Sequence, residues 1–153
     1  MRFALTRIAV TTLFTFILAN LSFVPASNAQ SRYVNQIKEQ LINAAIVLGL
    51  DDYSLSHEPF IDTLNHRSLD TLTLTLYRGI SYKIVGVCDS DCSDIDMYVY
   101  DDNGNLIDSD ESSDDIPFIE VTPRWTATFE VEINMYQCSS SYCYYGVGIF
   151  SDE

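Results

Sequence analysis

Basic residues are scarce in this chain. Of 153 residues only 8 are Lys or Arg, against 22 Asp or Glu, and the formal net charge is −14. So acidic a surface repels nucleic acid and anionic membranes, which excludes a phosphate-backbone binder. It suits solubility, cation binding or a basic partner. Acid, in turn, is missing from the first 29 residues, MRFALTRIAVTTLFTFILANLSFVPASNA. Arg2 and Arg7 form a positive n-region there, Ile8 to Leu18 an apolar h-region, and Ser27-Asn28-Ala29 a small-residue cleavage signal, the pattern of a secretory signal peptide. The apolar run is short for a membrane span, and Asn20, Ser22 and several Thr interrupt it. No Cys follows it, so a lipid anchor on Cys is not available. The expectation is an exported protein, periplasmic or secreted, off the membrane once residues 1–29 are removed. The remaining 124 residues (153 − 29) hold 22 acids and 6 bases, a charge of −16. That length suffices for one core without staples.

All four Cys follow the leader, at Cys88, Cys92, Cys138 and Cys143. An even count in an exported chain implies disulfides, and four Cys allow three pairings. The local ones, Cys88–Cys92 and Cys138–Cys143, are preferred, because each closes a short polar loop, CDSDC or CSSSYC, at a strand end. A zinc site fits poorly with export and with this spacing.

Gln30 to Gly49 reads as a helix. Val34, Ile37, Leu41, Ala45 and Leu48 recur at spacings of three and four, with Ile42, Ile46 and Val47 widening the apolar face. Ser31 is a plausible N-cap and Gly49 a stop. Leu50 to Leu69 has no sustained period and reads as a connector. From Asp70 the period is two. Leu72, Leu74 and Leu76 alternate with Thr71, Thr73 and Thr75. Ser81 to Val87 follows the Arg78-Gly79 turn. In DIDMYVY, Ile95, Met97 and Val99 share one face and Asp94, Asp96, Tyr98 and Tyr100 the other. Asn103-Gly104 marks a hairpin turn. LIDSD, PFIEV, the long WTATFEVEINMYQ and YCYYGVGIF complete about seven strands. The fold class is therefore mainly β, an antiparallel β-sandwich with one N-terminal α-helix. The chain divides into the signal peptide (1–29), helix and connector (30–69) and sandwich (70–153). Tyr98, Tyr100, Tyr142, Tyr144 and Tyr145 either pack at sheet edges or form an aromatic platform for a glycan or peptide.

Eleven acids and no base lie between Asp89 and Asp115. A helix–loop–helix calcium loop starting at Asp101 fails, because Leu106 and Ser112 stand where Gly and Glu are required. A non-local site is the sharper reading. Asp94 and Asp96 share a strand face, as do Asp108 and Asp110 on the return strand. If the turn centres on Asn103-Gly104, these four carboxylates gather at one end of the hairpin, where Ca²⁺ is the expected cofactor. The bland reading is a set of solvated turns. His57-Glu58 lacks the second His of a metalloprotease helix, and His66 is not aligned with His57.

CSDIDMYVYDDNGNLIDSD, PFIEVTPRWTATFEVEINM and CYYGVGIF together resemble the bacterial pre-peptidase C-terminal domain over about Asp70 to Phe150. Asp94 and Asp96 match its Asp-x-Asp strand, and Asn103-Gly104 its turn. Ala127 stands where that family often has Gly, and a helix and connector, not a peptidase, precede the domain here. The resemblance implies an antiparallel jelly-roll-like β-sandwich, non-catalytic and linked to secretion, substrate contact or inhibition, with calcium used by related collagen-binding modules. The expected function is an exported accessory or binding module for a protein or glycan partner, more a monomer than an oligomer. The alternatives are a small secreted hydrolase, using acidic pairs and His57 without any nucleophile–base motif, and an envelope structural protein assembling through its helix.

Overall fold

A computed structural model describes residues 26–152. In chain order the elements are α1 (Ala26–Val47), β1 (Ser54–Leu55), β2 (Phe60–Asn65), β3 (Leu69–Leu76), β4 (Tyr82–Cys88), β5 (Cys92–Tyr100), β6 (Leu106–Asp110), β7 (Phe118–Val121), β8 (Ala127–Cys138) and β9 (Tyr142–Ser151). The expected leader lies outside the described residues except for 26–29, which form the first turn of α1. No described helix is long and apolar enough to cross a membrane.

Two antiparallel sheets face each other. One runs β9-β4-β7, with β1 and β2 both paired along the free edge of β9; the other runs β3-β8-β5-β6. Among the described residues the strands number nine, because the connector holds β1 and β2. Phe60–Asn65 pairs with Val147–Tyr142 over six positions. Its period is invisible because it is an edge strand, held by backbone hydrogen bonds and burying only Leu64 fully. The alternation elsewhere gives the observed faces. Leu74 and Leu76 meet Ile95, Met97, Val99, Val131 and Ile133 between the sheets, together with Ile84, Val147 and Ile149. Tyr145 also points inward, fully buried, and donates its hydroxyl to Asp70 Oδ2 at 2.6 Å across the core.

A second core lies on the other side of the first sheet. Ile37, Leu41 and Ala44 of α1 pack on Val85, Val87 and Phe150. The close approach depends on the GVG step of β9. A Cβ built on Gly146 would overlap Ile37 Cγ2, and one on Gly148 would come within 3.3 Å of Leu41 Cδ2. The wider half of the helical stripe is not used: Ile42, Ile46 and Val47 face solvent. The layers are thus helix, sheet, sheet. The outer face of β3-β8-β5-β6 carries no further layer among the described residues, since α1 packs on β4 and β9.

Candidate binding face

That uncovered face carries a local group of acids without a base. Alternation on β5 turns Asp94, Asp96, Tyr98 and Tyr100 outward while Ile95, Met97 and Val99 enter the core. Register places Asn134 beside Asp96, Glu132 beside Tyr98 and Glu130 beside Tyr100. Across β8, Thr71 lies opposite Glu132 and Thr73 opposite Glu130. On the other flank Ser109 pairs with Tyr98, and its hydroxyl donates to Glu111, just past β6, at 3.2 Å. No Lys, Arg or His stands at any of these positions. Among the described residues the one ion pair, Lys83 with Glu120, joins β4 and β7 in the other sheet.

Carboxylates without cations on a partly dry surface oppose one another. Asp96 is only 7 % exposed, and its carboxylate accepts a hydrogen bond from Asn134 Nδ2 at 3.2 Å. Burial raises its pKa, as do the charges of Asp94, Glu111 and Asp110, with the Asn134 bond acting in the opposite sense. Burial and then Asp114 raise that of Asp94, whose Oδ1 is shielded from water and has no hydrogen-bond partner among the described residues. Burial, Asp96 and Glu111 push the Tyr98 hydroxyl up to about 12. Charge on this face therefore costs folding energy at neutral pH.

Asp108 and Asp110 do not share the strand face of this pair, although the charge of Asp110 reaches Asp96. A bulge between Val99 and Tyr100 shifts the hairpin register, so that Leu106 faces Tyr100 while Asp108 faces Val99 and Asp110 faces Met97. Regular pairing back from Leu106 would have put Asp108 opposite Tyr98 and Asp110 opposite Asp96. One inserted residue moves a strand's side chains to the other face. Asp108 is exposed and accepts the Ser109 N–H at 2.9 Å. Asp110 accepts the Ser112 N–H at 3.0 Å and the Phe118 N–H at 2.9 Å, tying β6 to β7 in the opposite sheet. Burial acts to raise its pKa, but those bonds prevail and hold it below the usual carboxylate range. Asp101 caps the turn, accepting the N–H groups of Asn103 at 2.9 Å and Asn105 at 2.8 Å. Among the described residues no three His, Cys, Asp or Glu are grouped to hold a metal ion. Asp94 and Asp96 alone offer at most about four oxygens, where calcium takes six to eight.

Both disulfides form locally, Cys88–Cys92 and Cys138–Cys143, and no Cys is free. Such bridges fit an oxidising, extracellular compartment. Their loops are bound to each other. Ser139 N–H donates to Asp91 O and Ser140 Oγ to Asp91 Oδ2, both at 2.8 Å. The buried Asp89 accepts the N–H groups of Asp91 and Tyr144. Beside this clamp Tyr33 of α1 stacks on Tyr144, ring centroids 4.8 Å apart, with Tyr142 edge-on to Tyr144 at 5.9 Å. The five tyrosines thus form no single platform: two lie on the acidic face, two at the disulfide clamp, and Tyr145 is in the core.

The histidines stand apart from the acidic face. His66 Nδ1 accepts the Cys138 N–H at 3.2 Å. His57 Nδ1 lies 2.9 Å from Ser56 Oγ, and that hydroxyl also donates to Ile149 O at 3.2 Å. Glu130, Glu132 and Asn134 were not singled out from sequence, although FEVEIN carries the same in–out alternation as DIDMYVY and registers with it.

No protein-family model matches the chain, and no curated protein matches it. The likeness to the pre-peptidase C-terminal domain is carried by the quoted residues alone.

Proposed function

We propose that this is an exported, non-catalytic binding module whose uncovered acidic sheet face meets a cationic partner. The observation that carries the reading is the placement of Asp94 and Asp96. They are kept side by side and partly dry on an open face without a base, where they cost stability. Such groups persist where a site uses them. A partner's Lys or Arg, or a bound cation, would neutralise what the protein itself leaves unpaired. Glu130, Glu132 and Tyr98 extend the charge into a strip along β5 and β8. The Ser56–His57 pair favours a hydrolase less, since the Ser56 hydroxyl is shared between His57 Nδ1 at 2.9 Å and the Ile149 carbonyl at 3.2 Å.

Zero-length carbodiimide cross-linking in the producing cells tests the reading, because it joins carboxylates to lysines in direct contact. The expected result is partner cross-links at Glu130, Glu132 or Glu111, lost in Glu130→Gln/Glu132→Gln and kept in Asp51→Asn/Asp52→Asn. Cross-links spread evenly over surface acids would defeat it. Turnover of chromogenic ester, peptide or glycoside substrates, lost in His57→Ala, would replace it with the hydrolase reading. A second reading, assembly through α1, is favoured by Ile42 and Ile46, exposed at 61 % and 62 %. Sedimentation of wild type against Ile42→Ser/Ile46→Ser separates the two.

A further inference from the structure

Beside the last turns of α1 lies a cavity of about 380 Å³ whose apolar wall is Ala44, Val47, Leu48, Val87 and Ile116, with an acidic lip of Asp114 and Asp115. Cavities of this size hold a drug-like group or one large side chain. Val47 and Ile116, exposed at 84 % and 42 %, carry the apolar surface out of it to solvent.

Two features say what fits. Asp114 and Asp115 supply negative charge at the lip, and no lining residue is basic. The cavity also sits at the negative end of the helix, whose last turn has no basic residue to complement it. An apolar ligand with a carboxylate head would be repelled, and a plain hydrocarbon would leave the acidic lip without a counter-charge.

We propose that this cavity receives an apolar side chain of a protein partner flanked by Lys or Arg. A segment fits better than a small molecule because the acidic lip runs on into the binding face. The Asp114 carbonyl accepts the Ile95 N–H at 3.1 Å, which seats Asp114 next to Asp94. A chain anchored in the cavity lays its cations on Asp115, Asp114 and then Asp94. The inference rests on the reading of a cationic partner and adds where that partner is anchored and by what chemistry.

The test is titration of the ¹⁵N-labelled protein with blocked peptides of sequence Lys-Arg-Trp-Arg-Lys, Lys-Arg-Ser-Arg-Lys and Ser-Ser-Trp-Ser-Ser. The first should shift Ala44, Leu48, Val87 and Ile116 and bind at least about tenfold more tightly than either control. Asp115→Asn and Asp114→Asn/Asp115→Asn, which leave the core packing intact, should each weaken it, the double variant several-fold. Equal binding of the uncharged Trp peptide would overturn the proposal. Shifts confined to Tyr98, Glu130 and Glu132 would also overturn it while leaving the acidic-face reading in place. No shifts anywhere with any peptide would remove both. Self-association that shields Val47 and Ile116 before peptide is added would replace the partner with a second copy.

Discussion

Truncating Ile37 tests how the helix is held. Ile37 is fully buried, and its Cγ2 fills the space left by Gly146. Ile37→Ala removes three carbons, worth about 2.4 kcal/mol at ~0.8 kcal/mol per buried methylene. The cavity left behind adds to this, for a total of about 3 kcal/mol. At roughly 4 °C per kcal/mol for a domain of this size, Tm should fall by about 12 °C. Gly146→Ala alone should cost about 1–3 kcal/mol by overpacking. In the Ile37→Ala background much of that cost should vanish, because the clashing methyl is gone and the new one fills part of the hole. The double-mutant cycle should therefore give a coupling of at least about 1 kcal/mol. Urea unfolding followed by circular dichroism measures all four corners. Additive costs, or an Ile37→Ala melt within about 2 °C of wild type, would show that α1 does not seat on β9 as described.

Other perturbations address the charged face and the core. Asp96→Asn should raise Tm at pH 7. The raised carboxylate pKas mean that the folded state binds more protons than the unfolded one, so wild type should gain stability as pH falls from 7 through those pKas. The variant should gain less, and a variant less stable than wild type at pH 7 would contradict the cost assigned to Asp96. Millimolar calcium should raise the wild-type Tm more than matched magnesium does, with the excess absent in Asp96→Asn, if Asp94 and Asp96 take a cation. Equal rises kept in the variant would reduce the effect to screening of net charge. Tyr145→Phe should cost about 1–3 kcal/mol by stripping Asp70 of its buried donor, whereas Tyr136→Phe, on an exposed residue, should change stability by less than about 0.5 kcal/mol. Equal effects from the two would refute the inter-sheet clamp.

Most of the strand faces were legible because alternation is strong wherever one side is dry. DTLTLTLY, DIDMYVY and FEVEIN each present apolar residues to the same core. The disulfides were legible because each pair brackets a short polar loop. Two kinds of feature were hidden. Edge strands β1 and β2 are fixed by pairing to β9 rather than by their own pattern, so LSHEPFIDTLN looks like a connector. The Val99/Tyr100 bulge is a tertiary decision on register, and it alone separates Asp108 and Asp110 from Asp96. The apolar cavity beside Gln40 was likewise unreadable, since it joins α1, β4 and the 114–116 loop from three distant parts of the chain.

Where cations land on the surface decides between a binding face and diffuse charge. A short oligolysine peptide titrated into the ¹⁵N-labelled protein at low salt gives that answer residue by residue. The largest shifts should fall on Asp94, Asp96, Tyr98, Glu130 and Glu132, and they should weaken when Glu130→Gln/Glu132→Gln is introduced. Shifts as large at Asp51, Asp52 and Asp102, unchanged in that variant, would mean that the acidic residues act only as diffuse surface charge.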